Sequence, residues 1–170
     1  MARRIIGLDR PPVSADAIAG FIDWSQDEEM FQRFAGPTTR IAVEAMRAGA
    51  PAEAVATPEV YSCMFGTSNG GAMRAPTAGC AAAGNLSEAV RLACLMSAPT
   101  HNTQIAYAGA SAVAGAIAVG LSGDRSMTVS EAAIEGARQG EAEARRSGRI
   151  VGGAGVLRRI EIAFEVGLRY

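Results

Sequence analysis

Lysine is absent from this 170-residue sequence, and all 16 basic residues are Arg. A lysine Schiff base and a phosphate-loop lysine are thereby excluded, while planar guanidinium contacts remain available. Histidine occurs once, at His101, so a histidine metal cluster is excluded too. The three cysteines, Cys63, Cys80 and Cys94, are odd in number and form no CxxC pair, which argues against a disulfide scaffold. They read as buried thiols of a reducing compartment. The apolar run after MARR is too short for a secretory signal, so a cytoplasmic location is expected. Aromatics make up only 5% of the chain, and runs alternating Val, Ile and aromatic residues are scarce. Strands are therefore not the natural reading. A net charge of -1 excludes nucleic-acid binding through overall electrostatics.

What is present is small and apolar. Hydrophobic residues reach 49% and Gly numbers 20, so the core is built largely from Ala, Leu, Ile, Val and Met. Such a core favours helices whose backbones approach closely. The whole chain, 1–170, reads as a single helical domain. A helix is expected over 15–34, capped by Ser14, with Ile18, Phe21, Ile22, Met30 and Phe31 on its apolar face. GPTT at 36–39 opens a second helix to about residue 48, ended by Gly49, with a further turn from Pro51. Helix is expected again over 73–83, interrupted by Pro76, and over 87–96 from Ser87 and Glu88. The stretch 103–121 carries almost no charge and reads as a buried central helix rather than a membrane span. Gly123 and Asp124 form a turn, and Thr128 or Ser130 then caps a helix toward Arg146 whose Glu and Arg residues are a solvated face. Residues 148–155 read as a flexible glycine-rich interruption, and 156–170 as a last apolar helix without a stop signal. That helix is either an ordinary terminus or the point where another polypeptide continues the fold.

Two polar islands break the helical pattern: FGTSNGGAMRAPTAG at 65–79 and APTHNTQ at 98–104. Gly70 and Gly71 allow close approach, so that peptide N–H groups can face phosphate or ribose oxygens. Asn69 both donates and accepts. Arg74 is suited either to a diphosphate or to pairing with loop carbonyls. An imidazole ordinarily titrates near neutrality, so His101 is suited to exchanging a proton or bonding a substrate, yet after Pro99 and Thr100 the favoured role is to orient a helix and hold a cleft together. Thr38 and Thr39 are either caps or ligand-facing hydroxyls. The 148–155 stretch does not make a nucleotide-binding loop, since no strand precedes it and no Lys follows.

The ordered set GPTTR, SNGGAMRAP and PTH, within 24–121, resembles the ADP-ribosylglycohydrolase family. The resemblance implies an all-α, orthogonally packed helical bundle that hydrolyses N- or O-glycosidic bonds to ADP-ribose with magnesium. It places Ser68, Asn69, Gly70, Gly71, Met73, Arg74 and His101 at the substrate cleft, with Thr38, Thr39 and Thr100 in support. The chain departs from the family pattern in its acids. The family's upstream acidic motif and its C-terminal paired-aspartate motif are not reproduced by Asp9, Asp16, Asp23, Asp27 or Asp124. No metal ligand and no catalytic residue is therefore assigned to this chain. The resulting expectation is the middle region of a larger composite fold, with Mg2+ held mainly by a second subunit carrying aspartate-rich motifs. A homo-oligomer of that pair is a further expectation. Rival expectations are another C-N hydrolase acting on a small molecule, a non-catalytic module for an ADP-ribose-like ligand, and a structural or interaction protein.

Overall fold

Local capping chemistry sets most helix starts in the computed structural model, which describes residues 2–50, 65–123 and 126–167. A 3-10 turn at Ala2–Arg4 leads to α1 (Ser14–Ser25), α2 (Glu28–Phe34) and α3 (Pro37–Arg47). After the first island begin α4 (Gly70–Ala81), α5 (Leu86–Ser97), α6 (Gln104–Ser122), α7 (Val129–Ser147) and α8 (Val156–Gly167). The described residues form an all-α, orthogonally packed bundle, and their only strand-like pairing is one bridge between Thr103 and Arg149.

The expected helices form, with shifted ends. The single helix expected over 15–34 is two, because the Asp27 carboxylate accepts the Met30 N–H at 3.1 Å and starts α2 afresh. Ser14 is not the cap of α1. Val13 holds that position, and its N–H donates to the Asp16 carboxylate at 2.8 Å. Asn85 rather than Ser87 caps α5, whereas Thr103 caps α6 and Thr128 forms a capping box with Glu131 on α7. Pro76 does not interrupt α4, which also begins three residues earlier than expected. An interior Pro costs about 3 kcal/mol. Packing of the buried Ala75 and Ala78 into the bundle, with Pro76 left exposed, offsets that penalty. Cys80, expected inside, is exposed, while Cys94 is buried. Cys63, Asp124 and the turn expected from Pro51 lie outside the described residues.

Helix α6 is the axis of the bundle, packed by α4, α5, α7 and α8. It is long and apolar enough to cross a membrane by length and composition, and half of its apolar window is buried against these helices. Its contact with α7 is made by backbones. A Cβ on Gly136 would stand 2.3 Å from the Ser111 carbonyl oxygen, and one on Gly140 would stand 2.6 Å from that of Tyr107. The opposite face of α7 carries the expected solvated charges, paired as Glu135–Arg138, Glu141–Arg145 and Glu143–Arg146. Beside this small-residue core, α1–α3 build an aromatic one. The buried Phe31 ring meets Trp24 edge-on at 5.5 Å and lies under the guanidinium groups of Arg40 and Arg47.

The close α6–α7 approach predicts opposite outcomes for two helical glycines. Gly136→Ala must push the helices apart and should lower the melting temperature by several degrees, from roughly 1–3 kcal/mol of overpacking. Gly109→Ala meets nothing within 4 Å and should raise it, through about 0.5–1 kcal/mol of helix propensity. Thermal melts followed by circular dichroism check both.

Candidate functional site

The two polar islands meet. Gly66, at φ +77°, turns the chain into α4 beneath the second island, and its carbonyl accepts the Thr103 hydroxyl at 2.8 Å. Arg149 joins both from the far end of the sequence. Its guanidinium donates to the Phe65 carbonyl at 2.6 Å and to Asn102 Oδ1 at 2.9 Å, and its backbone pairs with Asn102 and Gln104. The 148–155 stretch is thus a tie at Arg149 and Val151, where a flexible interruption was expected.

Gly70 begins α4, and a Cβ there would lie 2.6 Å from the His101 ring. The ring stacks directly on this bare Cα, so the first turn of α4 and the loop before α6 are locked to each other. Gly71 answers a different neighbour. Buried on the inner face of α4, it makes room for Ser97 Oγ, which would be 2.8 Å from a Cβ. The Asn69 side chain makes no capping bond to α4.

In front of this junction lies a cleft of about 650 Å3. Its walls are Gly20, Phe21 and Trp24 of α1, Phe34 at the end of α2, 36–39 at the start of α3, and Ser68, Asn69, Gly70, Met73, Arg74 and His101. Eight residues singled out in the sequence therefore border one cavity: Thr38, Thr39, Ser68, Asn69, Gly70, Met73, Arg74 and His101. Gly71 and Thr100 do not border it. Thr100 is fully buried behind His101 and holds its ring. Phe21, Trp24 and Phe34 were read only as an apolar face or passed over, because the helix spacing that turns them toward the cleft is the spacing of any core face. Arg149 gave no local signal at all.

The electrostatics are one-sided. Arg74 stacks over the Phe21 ring at 4.9 Å and donates to Thr100 Oγ1 at 2.8 Å, and its buried Nε has no hydrogen-bond partner among the described residues. Burial pushes its pKa down to about 10, leaving it cationic at neutral pH. Among the described residues that border the cleft there is no Asp or Glu. His101 is 1% exposed, and burial, with the charge of Arg74, pushes its pKa down to about 3. Its imidazole is neutral at physiological pH and is held at 2.8 Å by both Ser68 and Thr100. Among the described residues the hydroxyls of Thr38 and Thr39 cap nothing, since Gly36 holds the N-cap of α3.

These groups suit a neutral or anionic ligand rich in oxygen. They do not suit magnesium, a hard cation that takes about six oxygen ligands, commonly carboxylates. Among the described residues no three His, Cys, Asp or Glu side chains are grouped for a metal. Asp23 and Asp27 serve structure instead, the first paired with Arg4 and the second capping α2. A larger furrow of about 840 Å3 runs between α5 and α7 over Tyr107 and contains none of the residues singled out for binding.

An all-α bundle that gathers GPTTR, SNGGAMRAP and PTH round one cleft is consistent with part of the helical fold of the ADP-ribosylglycohydrolases, a hydrolase family. The chain belongs to the ADP-ribosylglycohydrolase family, whose model matches residues 2–165. The match extends well beyond the 24–121 span of the three motifs, so the likeness is not confined to a middle stretch of this chain. The uncharacterized protein YegU of Escherichia coli (strain K12) is 35% identical over 105 residues, which is 61% of this chain. That alignment spans 29% of YegU, so the chain covers less than a third of this curated relative. No solved structure matches the chain.

The buried histidine predicts a pH signature. Its folded pKa lies below its ordinary value of 6.5, so between about 6.5 and 3 the unfolded chain binds a proton that the folded chain refuses. Its contribution is complete above that window and is lost as pH falls through it. Stability should fall by about 1.5 kcal/mol between pH 6.5 and 5. Because the chain has one His, His101→Gln should flatten this slope in urea titrations at those two pH values.

Proposed function

We propose that the cleft binds an ADP-ribosyl-like or related small-molecule substrate, as part of a magnesium-dependent glycohydrolase or C-N hydrolase. The observation that carries this reading is a buried guanidinium with no carboxylate partner among the described residues, set in one wall with hydroxyl, amide and peptide groups. Arg74 and the first N–H groups of α4 attract a phosphate. Ser68, Asn69, Thr38 and Thr39 supply hydrogen bonds to sugar hydroxyls or phosphate oxygens. Trp24, Phe34 and Met73 offer flat or flexible apolar surface to a ring and exclude water beside it. Gly71 and Thr100 act from behind, by setting the approach of α4 and the pose of His101. This chain's part is thus to bind and orient.

The acidic residues, and the magnesium they hold, belong in this reading to a second subunit with aspartate-rich motifs, seated over the cleft in a composite cytoplasmic enzyme. Neither nucleic acid nor membrane has a part in it. The absence of carboxylates among the described residues of the cleft equally favours a second reading, a module that binds the ligand without cleaving it.

Calorimetric titration with ADP-ribose should detect binding, weakened roughly tenfold to a hundredfold by Arg74→Met. No binding by the wild type, or unchanged binding by the variant, contradicts the ligand assignment. Native mass of the untagged protein, purified gently from its own cells, checks the partner. A complex with a second, acidic polypeptide is expected, and this chain alone contradicts it. Binding without turnover when magnesium and all copurifying chains are present favours the second reading.

A further inference from the structure

Four polar groups stand in line between the core and the cleft. Arg74 Nη2 donates to Thr100 Oγ1 at 2.8 Å; Thr100 Oγ1 lies 2.8 Å from His101 Nδ1; and His101 Nε2 lies 2.8 Å from Ser68 Oγ. Hydroxyl and neutral imidazole can each run such a line in either direction. The guanidinium cannot, because it has five donors and no acceptor. Thr100 Oγ1 accepts from Arg74 and keeps a second lone pair, so by itself it could donate to His101 Nδ1 or accept from it. Arg74 Nη2 itself stands 3.5 Å from the same Nδ1, so a proton on that nitrogen would set donor against donor. Nδ1 is therefore the acceptor and the ring proton sits on Nε2. That proton is donated to Ser68 Oγ.

The end of the line is exposed. Ser68 borders the cleft and is open to solvent, and its bond from His101 leaves its own hydrogen without an acceptor among the described residues. Accepting at one lone pair also strengthens what a hydroxyl donates. The geometry points to Ser68 as a pre-polarised hydrogen-bond donor, set by Arg74 through Thr100 and His101, that selects a ligand oxygen lacking a proton, such as a phosphate or carbonyl oxygen. The same direction rules out a serine activated by histidine, since the imidazole nitrogen facing Ser68 already carries its proton and cannot take another from the hydroxyl. His101 is a positioning residue. The choice of ligand atom rests on the proposed binding function, whereas the direction of the line rests on the protein alone.

The single histidine makes the direction measurable, because 15N-labelled histidine gives the ring signals of one residue. The wild type should show a protonated Nε2 and a bare Nδ1 from pH 5 to 8, and Arg74→Met should admit a share of the Nδ1–H form. A wild-type ring protonated on Nδ1, an imidazolium at pH 6, or a tautomer indifferent to Arg74→Met would overturn the line. For the ligand atom, Ser68→Ala should bind ADP-ribose about tenfold more weakly. Ser68→Thr, which keeps the hydroxyl, should bind within a few-fold of wild type. Equal binding by wild type and Ser68→Ala would overturn the donor role and leave the function standing. Failure of the wild type to bind ADP-ribose would remove the function, and the ring spectrum would still decide the line.

Discussion

The site depends on the seating of the His101 ring against the bare Cα of Gly70. That contact brings two islands, 31 positions apart at these residues, into one wall, and there is no room in it for even a methyl group. Everything behind the ring keeps it there. Thr100 and Ser68 hold its nitrogens, and Gly71 lets α4 settle on Ser97 at the end of α5. Arg149 fastens the two island backbones through Phe65 and Asn102. Burial then keeps the histidine neutral, which accords with the supporting role that the sequence favoured for it over proton transfer.

The bundle supplies what this junction needs, a rigid support. Where α6 and α7 cross, glycine and alanine bring backbones together that bulkier residues would hold apart, leaving little freedom at the start of α6, next to His101. The α1–α3 layer adds the opposite wall of the cleft, ordered round Phe31 and its two arginines. Between the two layers the Arg74 guanidinium has no carboxylate partner among the described residues. A charge removed from water without a counter-charge is costly to keep, and a ligand anion would offset that cost. This is the physical link between the fold and the proposed function.

Much of this was legible in the residues. Thr128 announces its helix by cap chemistry, and the uncharged 103–121 stretch was read as a central helix surrounded by others, as it is in the bundle. The three motifs do border one cavity. What was hidden had tertiary causes. Apolar periodicity runs through Gln26 and Asp27, so the cap that splits α1 from α2 is masked by an acidic run. Pro76 breaks a local rule that the packing of α4 overrides. The glycine pair was rightly read as a place of close approach, but the approaching groups are His101 and Ser97. Arg149 binds a carbonyl 84 positions away, a partner that no local pattern encodes.

The central claim is that a ligand enters at the start of α4, in front of His101. The most direct measurement is the movement of backbone amide resonances in the 15N-labelled protein as ADP-ribose is added. The account predicts saturable shifts at Gly70, Gly71 and Ala72 and at Thr38 and Thr39 across the cleft. Shifts centred on the α5–α7 furrow round Tyr107, or none anywhere at millimolar ligand, would contradict it.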